Sequence, residues 1–162
     1  MRAAILTVST SVAAGETEDR SGAALAEHCQ AAGAEVLTRD VVADDEVAIT
    51  SWIHRQAAAG VPLLFTTGGT GFTDDDVTPE ATLAAIDRQA PGFAEAMRAE
   101  ALRHTPMGIL TRGVSGITGR SLVINFPGNP KAIGELFPVI APTLRHVVET
   151  LQRERGARTP GH

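Results

Sequence analysis

The feature that most constrains this chain is the run Leu63-Leu64-Phe65-Thr66, which passes directly into Thr67-Gly68-Gly69-Thr70-Gly71. A continuous apolar run has no polar face, so it predicts a strand covered on both sides, as in a parallel sheet. Parallel neighbours need crossover connections, and helical patterns between apolar runs supply them. Residues 2–9 read as a first buried strand. Ser21-Gly22 opens a helix with Leu25, Cys29 and Ala32 on one face, stopped by Gly33. Residues 34–41 read as a second strand, and Asp44 or Asp45 caps a helix carrying Ile49, Trp52 and Ile53 that ends before Gly60. After the glycine loop, Thr78-Pro79-Glu80 has the form of a helix start. Thr78 is the expected N-cap, Pro79 the first helical residue, and Glu80 an acid in the first turn, with Pro91-Gly92 ending the helix. A further helix is expected over residues 93–103, then strands over 114–117 and 122–126 around the turn Thr118-Gly119-Arg120. The last helix begins near Pro130, with Ile133, Leu136, Phe137, Ile140, Leu144, Val147 and Leu151 on its apolar face. Pro138 and Pro142 are expected to kink or interrupt it.

Strands alternating with helices predict an α/β fold with a mostly parallel sheet, helices on both faces and a small antiparallel element. The 162 residues make one domain, expected over 1–152, with a flexible tail over 153–162. A hydrophobic content of 43% against 20% charged is enough for a core without staples, and the single cysteine excludes an internal disulfide framework. The net charge of −5 offers no basic footprint for nucleic acid, and one tryptophan with no tyrosine leaves few platforms for base stacking. No apolar run approaches the roughly 18–20 residues that span a bilayer. The first residues are not expected to act as a signal peptide. A cytoplasmic protein with neither nucleic-acid nor membrane partners is expected. Thirteen of the fourteen basic residues are arginine, which makes Lys131 the single lysine.

Right-handed crossovers place the loops after parallel strands along one edge of the sheet, where ligands bind. Three segments converge there. Gly68, Gly69, Thr70 and Gly71 form either a tight turn or a phosphate cradle, in which backbone N–H groups approach an anion and the helix from Thr78 adds its positive end. The loop is neither a Walker A motif nor a dinucleotide fingerprint. Asp74, Asp75 and Asp76 are either solvated capping residues or part of a Mg²⁺ site, since Mg²⁺ takes one or two carboxylates plus phosphate oxygens. Asp44 and Asp45 lie on the same expected edge. Pro127-Gly128-Asn129-Pro130-Lys131 is either a rigid turn with Asn129 as cap or a second ligand loop in which Lys131 meets phosphate as a point charge. His28, His54, His104, His146 and His162 lack ligand spacing, so zinc is not expected. Cys29 reads as a buried structural thiol, and Ser115 lacks the frame of a nucleophile.

Residues 66–71, Asp76-Val77-Thr78-Pro79-Glu80-Ala81 and Pro127-Gly128-Asn129-Pro130-Lys131-Ala132 together resemble the molybdopterin adenylyltransferase family of molybdenum cofactor biosynthesis. This is the Mog/MoaB type, similar to one domain of gephyrin. Leu6-Thr7-Val8-Ser9, Glu18-Asp19-Arg20-Ser21-Gly22, Asp44-Asp45, Pro91-Gly92-Phe93 and Leu110-Thr111-Arg112 extend the resemblance over nearly the whole chain. It implies a three-layer α/β/α sandwich, a homotrimer, Mg²⁺, and transfer of AMP from ATP to the terminal phosphate of molybdopterin, with a molybdenum insertase downstream. It implies Asp44 and Asp76 as the functional, Mg²⁺-holding aspartates. For substrate and phosphate binding it implies Ser21, Gly68 to Gly71, Thr78, Glu80, Arg112, Ser115, Pro127, Gly128, Asn129 and Lys131. The chain departs from the family's usual Asp at Thr10 and usual Arg at Asp75. These departures leave a non-catalytic molybdopterin carrier as the alternative. The Asp75-Asp76 pair is similar to the competence-damage-inducible family, which acts on nucleotide pyrophosphates.

Overall fold

The structure, a computed structural model, describes residues 1–153. Its centre is a six-stranded sheet of β1 (Arg2–Val8), β2 (Glu35–Val42), β3 (Leu63–Thr67), β4 (Arg88–Gln89), β5 (Ser115–Thr118) and β6 (Ser121–Phe126). The spatial order is β2-β1-β3-β6-β5-β4. Strands β2, β1, β3 and β6 run parallel, with Ala3 opposite Leu63 and Leu63 opposite Leu122, while β5 and β4 extend the sheet antiparallel.

Successive side chains of a strand point to opposite faces, and the central strands are apolar on both. Ala3, Ile5, Leu63, Phe65, Leu122, Ile124 and Phe126 face one core, packed by α2 (Arg20–Ala31), α5 (Gly92–His104) and α6 (Pro130–Gln152). Ala4, Leu6, Val8, Leu64 and Val123 face the other, covered by α3 (Glu46–Ala58) and α4 (Thr78–Ala85). The result is the expected α/β/α sandwich. Phe65, Phe126 and Phe137 meet in the first core with ring centroids 5.9 Å apart. In the second, Trp52 is fully buried and its indole N–H donates to Asp40 at 2.8 Å.

Several local expectations are corrected. Thr78 is the first residue of α4 and not its cap: Val77 holds that position, and the buried Thr78 hydroxyl donates to Gly68 O at 2.9 Å. Helix α4 ends at Ala85, well before Pro91, because Asp87 and Ala90 bond back to β5 and form the two-residue β4 between them. A four-residue helix, α1 (Thr10–Ala13), occupies a stretch that reads as loop, with Ser9 as cap. Helix α2 starts one residue early because Asp19 caps it through Gly22 N at 2.9 Å. Helix α6 continues through Pro138 and Pro142 without interruption. Its buried face at Ile133, Leu136, Phe137, Ile140 and Leu144 outweighs the bonds those prolines cannot make.

Cys29 is fully buried, and burial pushes its thiol up to about 12, as befits an inert core sulfur. No helix among the described residues is long and apolar enough to cross a membrane. Of the tail expected over 153–162, residues 154–162 lie outside the described residues.

Candidate functional site

The C-terminal ends of β1, β3 and β6 lie side by side, and the glycine loop crosses between them. Gly68 has φ +94, and a Cβ there would sit 2.3 Å from Val8 O, so only glycine lets the loop lie across the end of β1. Gly69 has φ +66, with the Thr78 hydroxyl and Asp44 Oδ1 at 2.3 and 3.3 Å from where its Cβ would be. Gly68 N donates to Phe126 O at 3.1 Å, the Thr67 hydroxyl to Pro127 O at 2.9 Å, and Thr78 N to Gly69 O at 3.1 Å. One backbone bond and one from the Thr67 hydroxyl thus hold the end of β3 and the glycine loop against the end of β6 and the Pro127 loop. Beside their junction lies a cleft of about 320 Å³ lined by Ser9, Arg20, Ser21, Gly68, Gly128 and Pro130, among others.

Beneath the loop, the buried Asn125 amide donates to Thr66 and Thr82 hydroxyls at 2.9 Å each, and its Oδ1 accepts from Val114 N at 3.1 Å. This satisfied polar lattice ties β3, β6 and α4 together under the site.

The two aspartates that the resemblance implies flank the glycine loop, Asp44 beside Gly69 and Asp76 beside Gly71. Asp45 caps α3 through Ala48 N at 2.7 Å, which leaves Asp44 for the site. Asp44 Oδ2 accepts from Thr10 N at 3.1 Å and from the Thr10 hydroxyl at 2.8 Å. Asp76 Oδ2 accepts from Thr73 N at 3.0 Å and from its hydroxyl at 2.8 Å. Burial acts to raise the Asp76 pKa. The bonds from Thr73, the Gly71 amide and the Arg112 guanidinium outweigh it and hold the carboxyl below its ordinary value.

Arg112 and Glu80 are committed to each other. The Arg112 guanidinium forms a short ion pair with Glu80 Oε1, and donates to Gly71 O at 2.7 Å and Asp76 O at 2.6 Å. Arg112 N also donates to Thr70 O at 2.9 Å. The ion pair holds Glu80 below the usual carboxylate range and raises Arg112 further. Arg112 therefore fastens the glycine loop to α4, and its charge reaches the site through that clasp. Thr70 is buried, 3.4 Å from the Thr111 hydroxyl. Asn129 is the α6 cap, accepting from Lys131 N at 2.9 Å. Lys131 has a largely exposed side chain, 3.9 Å from Glu135. Ser115 departs from its expected place. It is buried outside the cleft, donates to Ala90 O at 2.6 Å and accepts from Ala94 N, so it anchors the start of α5. Asp74 and Asp75 are exposed and make no hydrogen bond or ion pair among the described residues. Thr73 was not singled out by sequence reasoning. Its one sequence signal is its place three residues before Asp76, where Asp76 N closes a turn on Thr73 O at 3.0 Å.

Comparison with known proteins identifies the family. The molybdopterin adenylyltransferase of Helicobacter pylori J99 is 36% identical over 154 residues, spanning 91% of this chain and 85% of that protein. The Drosophila melanogaster molybdenum cofactor synthesis protein cinnamon is 37% identical over 103 residues, 64% of this chain, and the match spans 17% of that longer protein. The molybdopterin biosynthesis enzyme MoaB from Thermus thermophilus superposes with a TM-score of 0.87 at 40% identity, covering 93% of this chain and 95% of that one. The family described as "Probable molybdopterin binding domain" matches residues 4–146, and the chain belongs to that family.

Proposed function

We propose that this protein is a molybdopterin adenylyltransferase of molybdenum cofactor biosynthesis. It transfers AMP from ATP to the terminal phosphate of molybdopterin, giving adenylylated molybdopterin and pyrophosphate. The observation that carries this reading is the glycine loop, seated between Asp44 and Asp76 and joined through Gly68 to the Pro127 loop beside the cleft. Relatives named molybdopterin adenylyltransferase support it.

In this reaction a terminal phosphate oxygen of molybdopterin bonds to the α-phosphorus of ATP, and the bond from that phosphorus to the bridging oxygen breaks as pyrophosphate leaves. The attacking oxygen is already anionic, so no protein nucleophile and no strong base is required. Position and neutralised charge suffice. Backbone amides of Gly69 and Thr70 hold phosphate, with the positive end of α4 behind them, while Gly68 and Gly71 set the course of the loop. Ser21, Pro127, Gly128, Asn129 and Lys131 frame the bound substrates, and Arg112 with Glu80 keeps the loop in register.

The donor set fits a hard cation. Among the described residues, Asp44 Oδ1 takes no hydrogen bond while Oδ2 takes two. Among the described residues no three His, Cys, Asp or Glu side chains converge, so Asp44 and Asp76 would hold Mg²⁺ with substrate phosphates and water as the other ligands. Mg²⁺ bound there neutralises phosphate charge. We further assign the activity to one domain over residues 1–152, acting in the cytoplasm as a homotrimer that passes its product to a molybdenum insertase.

The test is pyrophosphate release from ATP, with and without molybdopterin, in Mg²⁺ and in EDTA. Release that needs both molybdopterin and Mg²⁺ is expected. The Asp76→Asn variant should lose turnover and keep its fold and pterin binding. Pterin binding without release by the native protein would instead identify a carrier.

A further inference from the structure

Each carboxylate beside the glycine loop takes two donors from one threonine, and Asp76 takes the Gly71 amide besides. Thr10 places its backbone N–H at 3.1 Å and its hydroxyl at 2.8 Å from a single oxygen, Asp44 Oδ2. Thr73 places its N–H at 3.0 Å and its hydroxyl at 2.8 Å from Asp76 Oδ2. One threonine opens α1 after β1, and the other lies in the loop after β3. Segments far apart in the chain thus build the same two-donor clasp. A carboxylate has about four lone-pair sites, so two donors on one oxygen fix the plane of the group and turn the other oxygen outward.

At Asp44 the clasp is closed in both directions. Asp44 N donates to the Thr10 hydroxyl at 3.2 Å, so that hydroxyl accepts from the amide and directs its own proton to Oδ2. Asp44 Oδ1 has no hydrogen bond among the described residues and lies 3.3 Å from where a Gly69 Cβ would be. Both threonines are exposed, so burial does not hold their side chains in place.

We infer that Thr10 and Thr73 are a matched pair of positioning residues that aim Asp44 and Asp76 at the cation and phosphates of the nucleotide. The inference rests on the adenylyl-transfer reading and goes beyond it.

The experiment uses the full chain with Thr10→Val and Thr73→Val, which remove each hydroxyl but keep the β-branch and the backbone donor, and with Thr10→Ser and Thr73→Ser, which restore the hydroxyl. Two quantities are read: Mn²⁺ binding in the presence of ATP, followed by electron paramagnetic resonance, and kcat against KM for molybdopterin. Loss of one hydrogen bond to a charged group should weaken Mn²⁺ binding and lower kcat by roughly tenfold in each valine variant. KM for molybdopterin and the thermal midpoint should stay in place, and the serine variants should return to native values. Valine variants with native Mn²⁺ affinity and kcat would overturn the inference, as would losses that serine fails to restore. If the native protein releases no pyrophosphate, the adenylyl-transfer reading fails, and Mn²⁺ binding alone decides for or against the clasps.

Discussion

Asp76 shows how far local bonds can set the state of one residue. Desolvation acts to raise its pKa, but the Thr73 donors, the Gly71 amide and Arg112 hold it below the ordinary carboxylate value. A carboxyl with a depressed folded pKa adds stability that is present above its unfolded pKa of about 4 and is lost as pH falls through the folded pKa. In EDTA, the native protein should therefore be more thermostable than Asp76→Asn at pH 6, with the gap closing towards pH 3. Thermal midpoints across that range check the sign, and a gap that widens in acid would contradict it. Arg112 carries a related lesson. In the sequence it reads as a cation for phosphate, yet its donors go to Glu80, Gly71 O and Asp76 O. Its reach and partners depend on segments some thirty to forty positions away, which no local pattern records.

At the scale of elements, the glycine loop is governed by backbone contact more than by its own turn preference. Gly68 combines a positive φ with a Cβ position 2.3 Å from Val8 O. Gly68→Ala should cost more than ~1 kcal/mol of stability. It should also weaken nucleotide binding, because the loop must lift off the end of β1. Denaturant unfolding and nucleotide titration read the two effects separately. The strands and long helices were legible because apolar periodicity and cap residues mark them, as at Asn129-Pro130 and at Leu63–Thr67. Strand β4 was not legible. Two residues carry no period, and they become a strand only because β5 offers a free edge. Thr78 has the composition of a cap, but its hydroxyl found Gly68 O once the loop was folded over α4.

For the whole molecule, the sheet is shared by two cores, so both should fail together. Leu144 is fully buried on α6, and Trp52 is buried on the opposite face. Leu144→Ala should cost about 2–5 kcal/mol. Trp52 fluorescence and far-UV circular dichroism should still report one coincident transition. Separate midpoints would mean that the faces unfold independently.

By itself the sequence determined the alternation of strands and helices, the glycine turn, the candidate aspartates and the buried thiol, because periodicity, φ tolerance and side-chain chemistry are properties of short segments. Tertiary structure alone decided which groups meet. It took Ser115 away to anchor α5, turned Arg112 and Glu80 into a clasp, and brought Thr10 onto Asp44. Hydrogen bonds act over about 3 Å, and only the packed sheet brings loops from four separate strands within that distance.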